Sequence, residues 1–405
     1  MSGPLAWRHG GEAGAASWMV MDKRIYLLAF VNFSMGLVEM FPAGILSRIA
    51  AELSVSVSAA GQMLGLFSLT FAIAAPVLQV LTARFERRRV LMITLAVFAA
   101  GTLWGVFAPT FAEQMAARVV PAAAGGLMCG TAFALAAQIA APAFRGRAIA
   151  LAAMGISSSI VLGVPLGILV AEEIGWRAMY VLTVVFAALA FVGVWRWLPK
   201  VQGSGAVPLS QQLRTLRSAK LLSAHTVTFL LMWGHFAMYA FLAPFMEQVV
   251  GLDSRWMSVV YLAFGAAGMT GGFLGGYSSD RWGGVRSVTG AGCALALALA
   301  LLPFAATSLW LVLPVVMLWG MSAWGSTPSV QHYITSTSPE TAGIQLGLNL
   351  AALNFGIAMG AAVGGLTLEF VSIRYNPWVG ALAVIFGVLV ARYSARLPYR
   401  RLAVA

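Results

Sequence analysis

The sequence predicts an all-α integral membrane protein of twelve transmembrane helices arranged as two related six-helix halves, and three observations predict it. Of 405 residues, 60% are hydrophobic and only 9% charged, with a mean hydropathy of +0.87, a composition that excludes an ordinary soluble globule. Apolar runs of about 20 residues, the length that crosses a hydrocarbon core at 1.5 Å per residue, recur twelve times. The chain also resembles itself at an offset of 197 residues, which places Arg84 on Arg281, Pro142 on Pro339, Glu172 on Glu369 and Arg177 on Arg374. Chance matches of glycine are cheap in a chain with 43 of them, whereas coincident Arg, Glu and Pro point to a duplicated half.

Taken in order, residues 1–24 form a Gly- and Ala-rich tail without the apolar core of a secretory signal. Met21-Asp22-Lys23-Arg24 reads equally well as a start. The first half, 25–199, holds spans at 25–46, 57–82, 90–108, 112–138, 148–171 and 178–198. A polar linker, 200–221, follows; its Pro208 precedes Leu209, Leu213 and Leu216, an apolar stripe at helical spacing suited to a membrane surface. The second half, 222–398, holds spans at 222–246, 257–278, 288–306, 310–331, 343–369 and 376–396, and 399–405 is a short tail.

Basic residues orient the spans, because Lys and Arg near span ends are retained on the cytoplasmic side. With the N-terminus inside, 20 of the 25 fall in the tails, in the linker, in the loops after spans 2, 4 and 8, or at the adjoining ends of spans 6 and 12. Arg48, Arg177, Arg255 and Arg374 fall outside, and Arg118 lies within span 4. Both termini are therefore expected in the cytoplasm. The net charge of +12 becomes a topology signal, with no nucleic acid required to balance it. Cys129 and Cys293 lie in spans of different halves, so neither a disulfide framework nor a metal site is expected. No His-Glu-x-x-His, clustered acidic set or phosphate-cradling Gly-x4-Gly-Lys is present, which argues against a polytopic membrane enzyme and against ATP hydrolysis. No cofactor is implied.

Ionisable residues inside a membrane are expensive and mark function by default. Here they are Glu39 in span 1, Arg118 in span 4 and His235 in span 7; span 10 carries Trp319, Ser322, Trp324, Ser326, Thr327 and Gln331 instead. Counting rise per residue puts Glu39 and Arg118 both roughly 10 Å deep. Their meeting would let Arg118 stabilise a carboxylate that burial opposes, as a proton-coupling residue requires, or would simply lock two helices. His235, near mid-membrane, suits a hydrogen bond to a solute, a proton path, or packing. Trp233, Tyr239, Trp319 and Trp324 offer faces on which a planar ring stacks, or core and interface packing, with Asn32 and Gln331 as polar contacts. Gly155, Gly163 and Gly167 in span 5 and Gly360 and Gly364 in span 11 are spaced for close helix approach, and Pro165 for a kink.

These motifs together resemble the major facilitator superfamily. The loop Gly276-Tyr-Ser-Ser-Asp280-Arg281-Trp-Gly283 matches that family's signature between spans 8 and 9; its counterpart after span 2 departs from it, with Gln79, Ala83 and Glu86 in place of Gly, Asp and Gly. Arg118 resembles the family's buried arginine, and Gly163-Val-Pro165-Leu-Gly167 resembles the fifth-span motif of its proton-driven exporters without the usual Gly-Pro adjacency. Gly36-Leu-Val-Glu39, Arg145-Gly-Arg147 and Gly175-Trp-Arg177 are similar to the arabinose-efflux-permease-like branch of drug:proton antiporters. His225-Thr-Val-Thr, Gly234-His235, Tyr239-Ala-Phe-Leu-Ala-Pro-Phe245 and Trp319-Gly-Met-Ser-Ala-Trp324 are similar to bacterial purine base and nucleoside efflux pumps. The resemblance implies a monomeric inner-membrane antiporter that exchanges protons for a small solute by alternating access, with purines and ribonucleosides first and drugs or sugars second. It implies Glu39 and Arg118 for coupling, and Arg84, Asp280 and Arg281 as a cytoplasmic latch between helix ends.

Overall fold

The computed structural model describes residues 22–399 except 142, 143, 204 and 206. The expected tail before Asp22, the alternative start at Met21, the last six residues and Pro142 lie outside the described residues. Twelve long helices follow one another: α1 (Arg24–Gly44), α2 (Val57–Thr82), α3 (Arg87–Phe107), α4 (Phe111–Ile139), α5 (Arg145–Glu173), α6 (Arg177–Trp197), α7 (Ala219–Tyr239), α8 (Ser254–Trp282), α9 (Gly284–Ala305), α10 (Leu309–Thr337), α11 (Ala342–Phe370) and α12 (Asn376–Arg396). All are long and apolar enough to cross a bilayer. α5 and α11 start and end 197 residues apart, and α3 and α9 start 197 residues apart.

Two expected spans end early. α1 stops at Gly44 and α7 at Tyr239, each followed by a break and a short helix, Leu46–Glu52 and Leu242–Phe245. Hydropathy does not register the break because the residues on both sides of it are apolar. Most other helices run longer than the apolar windows: α8 extends to Trp282, through Asp280 and Arg281. α5 runs on through Pro165 as one helix. At the face opposite the linker, side-chain oxygens satisfy orphan amides at three helix starts, Ser56 for Ala59 at 3.0 Å, Thr110 for Glu113 at 3.3 Å and Ser308 for Trp310 at 3.3 Å. The linker forms the short helix Leu209–Arg214, with Leu213 exposed.

Without a hydrophobic gain between helices in lipid, close backbone approach has to supply the packing. α1 lies against α5 at Gly155, where a Cβ would fall 1.9 Å from the Ala29 carbonyl, and at Gly163, over Leu37. The repeat places α7 against α11 in the same way: added Cβ atoms at Gly356, Gly360 and Gly364 would meet the carbonyls of Phe229, Trp233 and Ala237 at 2.4–2.6 Å. Between the halves, α2 packs on α11 and α5 on α8.

Among the described residues four hydrogen bonds join the halves, all at the face opposite the linker. Ser47 donates to the Glu247 carboxylate at 2.6 Å, Tyr261 to the Ala43 carbonyl at 3.0 Å, Ser58 to the Gly365 carbonyl at 2.8 Å and Gln62 to the Ala361 carbonyl at 3.1 Å. The bundle is thus closed at that face.

Candidate functional site

Glu39 sits in the last third of α1, 6% exposed, two turns beyond the fully buried Asn32 on the same face. Three residues after it comes Pro42, which has no N–H to return to the carbonyl four residues earlier, that of Val38. Arg118 of α4, 1% exposed, fills that vacancy: its Nη1 donates to the Val38 carbonyl at 3.1 Å. Its Nη2 donates to the Glu39 main-chain carbonyl at 3.2 Å and its Nε to the Met63 carbonyl of α2 at 2.8 Å. The guanidinium also lies 5.0 Å from the Phe67 ring centre.

This geometry bears on both readings left open by the sequence, a stabilised carboxylate and a lock between helices. Arg118 and Glu39 do meet, but the arginine spends its hydrogen bonds on three main-chain carbonyls, and among the described residues no ion pair within 4.0 Å joins it to the Glu39 carboxylate. It is a bolt through α1, α2 and α4 whose charge stands beside the acid. The sequence signal was available in Pro42 at i+4 from Val38.

Asn32 is likewise not a free polar contact. Its Nδ2 donates to the Ala152 carbonyl of α5 at 2.9 Å and its Oδ1 accepts from Cys129 Sγ of α4 at 3.3 Å, so both ends of the amide hold helices together.

In the second half, where α1 has Glu39, α7 brings Phe236. Around it the structure gathers His235, Tyr239, Phe264 and Trp319, all 3% exposed or less. Trp319 Nε1 donates to His235 Nδ1 at 2.9 Å, and the imidazole stacks on Phe264 with centroids 5.8 Å apart. His235 Nε2 and the Tyr239 hydroxyl are buried with no hydrogen-bond partner. His235, Tyr239 and Trp319 therefore form one closed aromatic cluster toward the face at which the halves are joined. Trp233 is half-buried on α7 with its indole nitrogen unpartnered, Trp324 is half-buried against Gly268 of α8, and Gln331 is exposed.

The expected latch residues stay within their own halves. Asp280 approaches His332 of α10 at 3.7 Å, Arg281 donates to the Tyr277 hydroxyl at 3.0 Å, and Arg84 is exposed in a loop against which Gly203 of the linker is pressed.

Sequence reasoning missed a neutral polar ladder between α7 and α11. His225 Nε2 lies 2.9 Å from Gln345 Oε1, and one turn deeper Thr228 donates to Asn349 Oδ1 at 2.5 Å. The pairing was encoded in two spacings, three residues on α7 and four on α11, that put both members on one helix face.

Residues 28–350 match the Major Facilitator Superfamily. An MFS-type transporter of Bacillus subtilis, YbcL, is 34% identical over 368 residues, 91% of this chain and 94% of that one. The chain belongs to the major facilitator superfamily. It is a transporter and not an enzyme. The inner membrane transport protein YdhP of Escherichia coli K12 is 27% identical over 93% of this chain and 97% of its own length. A probable sugar efflux transporter of Mannheimia succiniciproducens is 26% identical over 93% of this chain and 95% of its own. Among solved structures, a bacterial homologue of the human lysosomal transporter Spinster, inward-facing and occupied, superposes with a TM-score of 0.78 at 14% identity, over 94% of this chain and 98% of that one. At that identity the likeness establishes the fold.

Proposed function

We propose that this transporter exports a small organic solute across the bacterial inner membrane in exchange for protons, with Glu39 as the coupling group. The observation that carries the reading is the placement of one buried acid, Glu39, beside an arginine whose donors are already committed to main-chain carbonyls. Such a carboxylate has charge nearby without a fixed ion pair, so its protonation responds to hydration as the bundle opens and closes. With the linker face cytoplasmic, as the basic residues favour, the four hydrogen bonds between the halves hold the periplasmic side closed.

Proton arrival from outside neutralises Glu39 and allows the outward-open form to return; release inward restores the anion. Solute and proton bind with opposite preference for the two forms, because only differential affinity shifts the equilibrium. A planar uncharged solute such as a purine base or ribonucleoside fits the aromatic faces of Trp233 and Trp324, and the aromatic cluster of His235, Tyr239 and Trp319 stands at the end of its path away from the linker. A sugar is the second reading, favoured by the relative named as a sugar efflux transporter.

Glu39→Gln tests the coupling. In inverted vesicles this variant is expected to lose gradient-driven uptake while retaining solute exchange at matched pH. Undiminished gradient-driven uptake removes Glu39 from the role.

A further inference from the structure

We infer that the linker-side half of the wall formed by α7, α10 and α11 is a recognition site for an uncharged polar solute, with Thr228 and Asn349 as its specificity-determining pair. This rests on the transport reading above and names the solute class. A recess of about 10 Å3 lies between Thr228, Leu231 and Met232 of α7, Ser326, Thr327 and Val330 of α10, and Asn349 of α11. That is room for about one water molecule, and equally for the single hydroxyl, amino or carbonyl group by which a larger solute would anchor its edge.

The lining is chemically specific. It presents three hydroxyls and one carboxamide, so donors and acceptors are both on offer and none carries formal charge. One turn nearer the linker, the buried pair His225 and Gln345 extends the same row, and His225 Nδ1 is buried with no partner, leaving one unused hydrogen-bonding position on the imidazole. All Asp, Glu, Lys and Arg residues of α7 to α12 lie within five residues of an end of their helix. A charged solute entering this wall would lose its hydration without a counter-ion, a cost a neutral one avoids. Thr228 donates to Asn349 across the recess, and a solute carrying an adjacent donor and acceptor exchanges that one bond for two.

A purely structural ladder and a recognition site differ in what a matched apolar replacement does. Thr228→Val combined with Asn349→Leu removes both partners of the rung at similar shape, a change that is nearly neutral for folding. The purified full-length protein is titrated by ligand-induced thermal stabilisation at fixed pH, without a gradient. The uncharged probes are hypoxanthine, adenosine and D-xylose; the charged ones are benzoate and tetraphenylphosphonium. The expected result is saturable stabilisation by at least one uncharged probe, weakened roughly tenfold or more in the double variant, with no stabilisation by the charged pair. Stabilisation by a charged probe alone, none by any uncharged probe, or wild-type affinity in a double variant that melts like wild type overturns the inference. Solute binding is read at fixed pH without a gradient and proton coupling as gradient-driven uptake in vesicles, so failure of proton coupling and failure of this site register in different measurements.

Discussion

The two halves of the bundle bury different chemistry in matching places. α5 and α11 cover equivalent residues of the repeat, and each receives its neighbour, α1 or α7, over glycines four residues apart. Yet position 39 is an acid where its counterpart is Phe236, and Arg118 stands where the second half has Val315. The first half therefore holds its charge at the cost of committing an arginine to main-chain carbonyls, while the second holds rings and neutral amides. Small residues at a helix crossing are hard to replace because backbone touches backbone, whereas polar residues deeper in each half diverge without disturbing that contact. What the duplication conserves is thus the crossing, and what it frees is the chemistry.

The largest effect expected from breaking this asymmetry is at Arg118. Arg118→Ala strips a charged donor from the carbonyls of Val38, Glu39 and Met63, one of which Pro42 has already left without its helical partner. Hydrogen bonds to a charged group contribute about 1.5–3 kcal/mol each and do not add fully, so the loss is about 3 kcal/mol or more. The variant should fall sharply in melting temperature and yield on size-exclusion chromatography. Val315→Ala, the equivalent site of the second half, should leave melting within a few degrees. A mild Arg118→Ala phenotype would mean the guanidinium serves the carboxylate after all.

Next comes a pair of alanines at equivalent crossings. At Gly163 the nearest atom to an added Cβ is the Cδ2 of Leu37, 2.5 Å away, the far end of a side chain that can rotate. At Gly360 it is the Trp233 carbonyl at 2.6 Å, with the Ala237 amide nitrogen at 2.8 Å, and backbone cannot yield. Gly360→Ala should therefore cost about 1–3 kcal/mol and Gly163→Ala less than about 1 kcal/mol, a difference read directly as two melting curves. Equal losses would show that α1 and α7 are held with the same rigidity.

The sequence already carried most of the scaffold, because length, hydropathy and the offset of 197 are properties of whole spans. It carried less of each span's ends. Apolar windows stop at the first charge, yet α8 continues through Asp280 and Arg281, because a helix satisfies its own backbone wherever its side chains reach water. For the site, sequence identified Glu39 and Arg118 but joined them by the partner that opposite charge suggests. The carbonyl vacancy made by Pro42 is a backbone property, invisible to a reading of side-chain types. The rung of Thr228 and Asn349 was missed for a related reason: one hydroxyl or one amide in an apolar span is unremarkable until a second helix supplies its complement.

The smallest expected effect contrasts the two loops from which the repeat is most easily recognised. After α8 the chain turns at Gly283 with φ +82°, a left-handed conformation that glycine adopts without steric cost. Its counterpart Glu86 has φ −56°, so the first-half loop follows another path. There the linker covers it: Arg87 N donates to the Val201 carbonyl at 2.8 Å, and a Cβ on Gly203 would fall 2.2 Å from the Ala83 carbonyl. A carboxylate at position 83, now 1% exposed, would be buried under that cover, which accounts for alanine in the place of Asp280. Asp280 itself is 81% exposed and its His332 contact is 3.7 Å long. Asp280→Asn should accordingly change stability by about 0.5 kcal/mol or less, while Ala83→Asp should unseat the linker and open it to limited proteolysis. Proteolysis of the linker at the wild-type rate in Ala83→Asp would sever the divergence of the two loops from the linker that lies across only one of them.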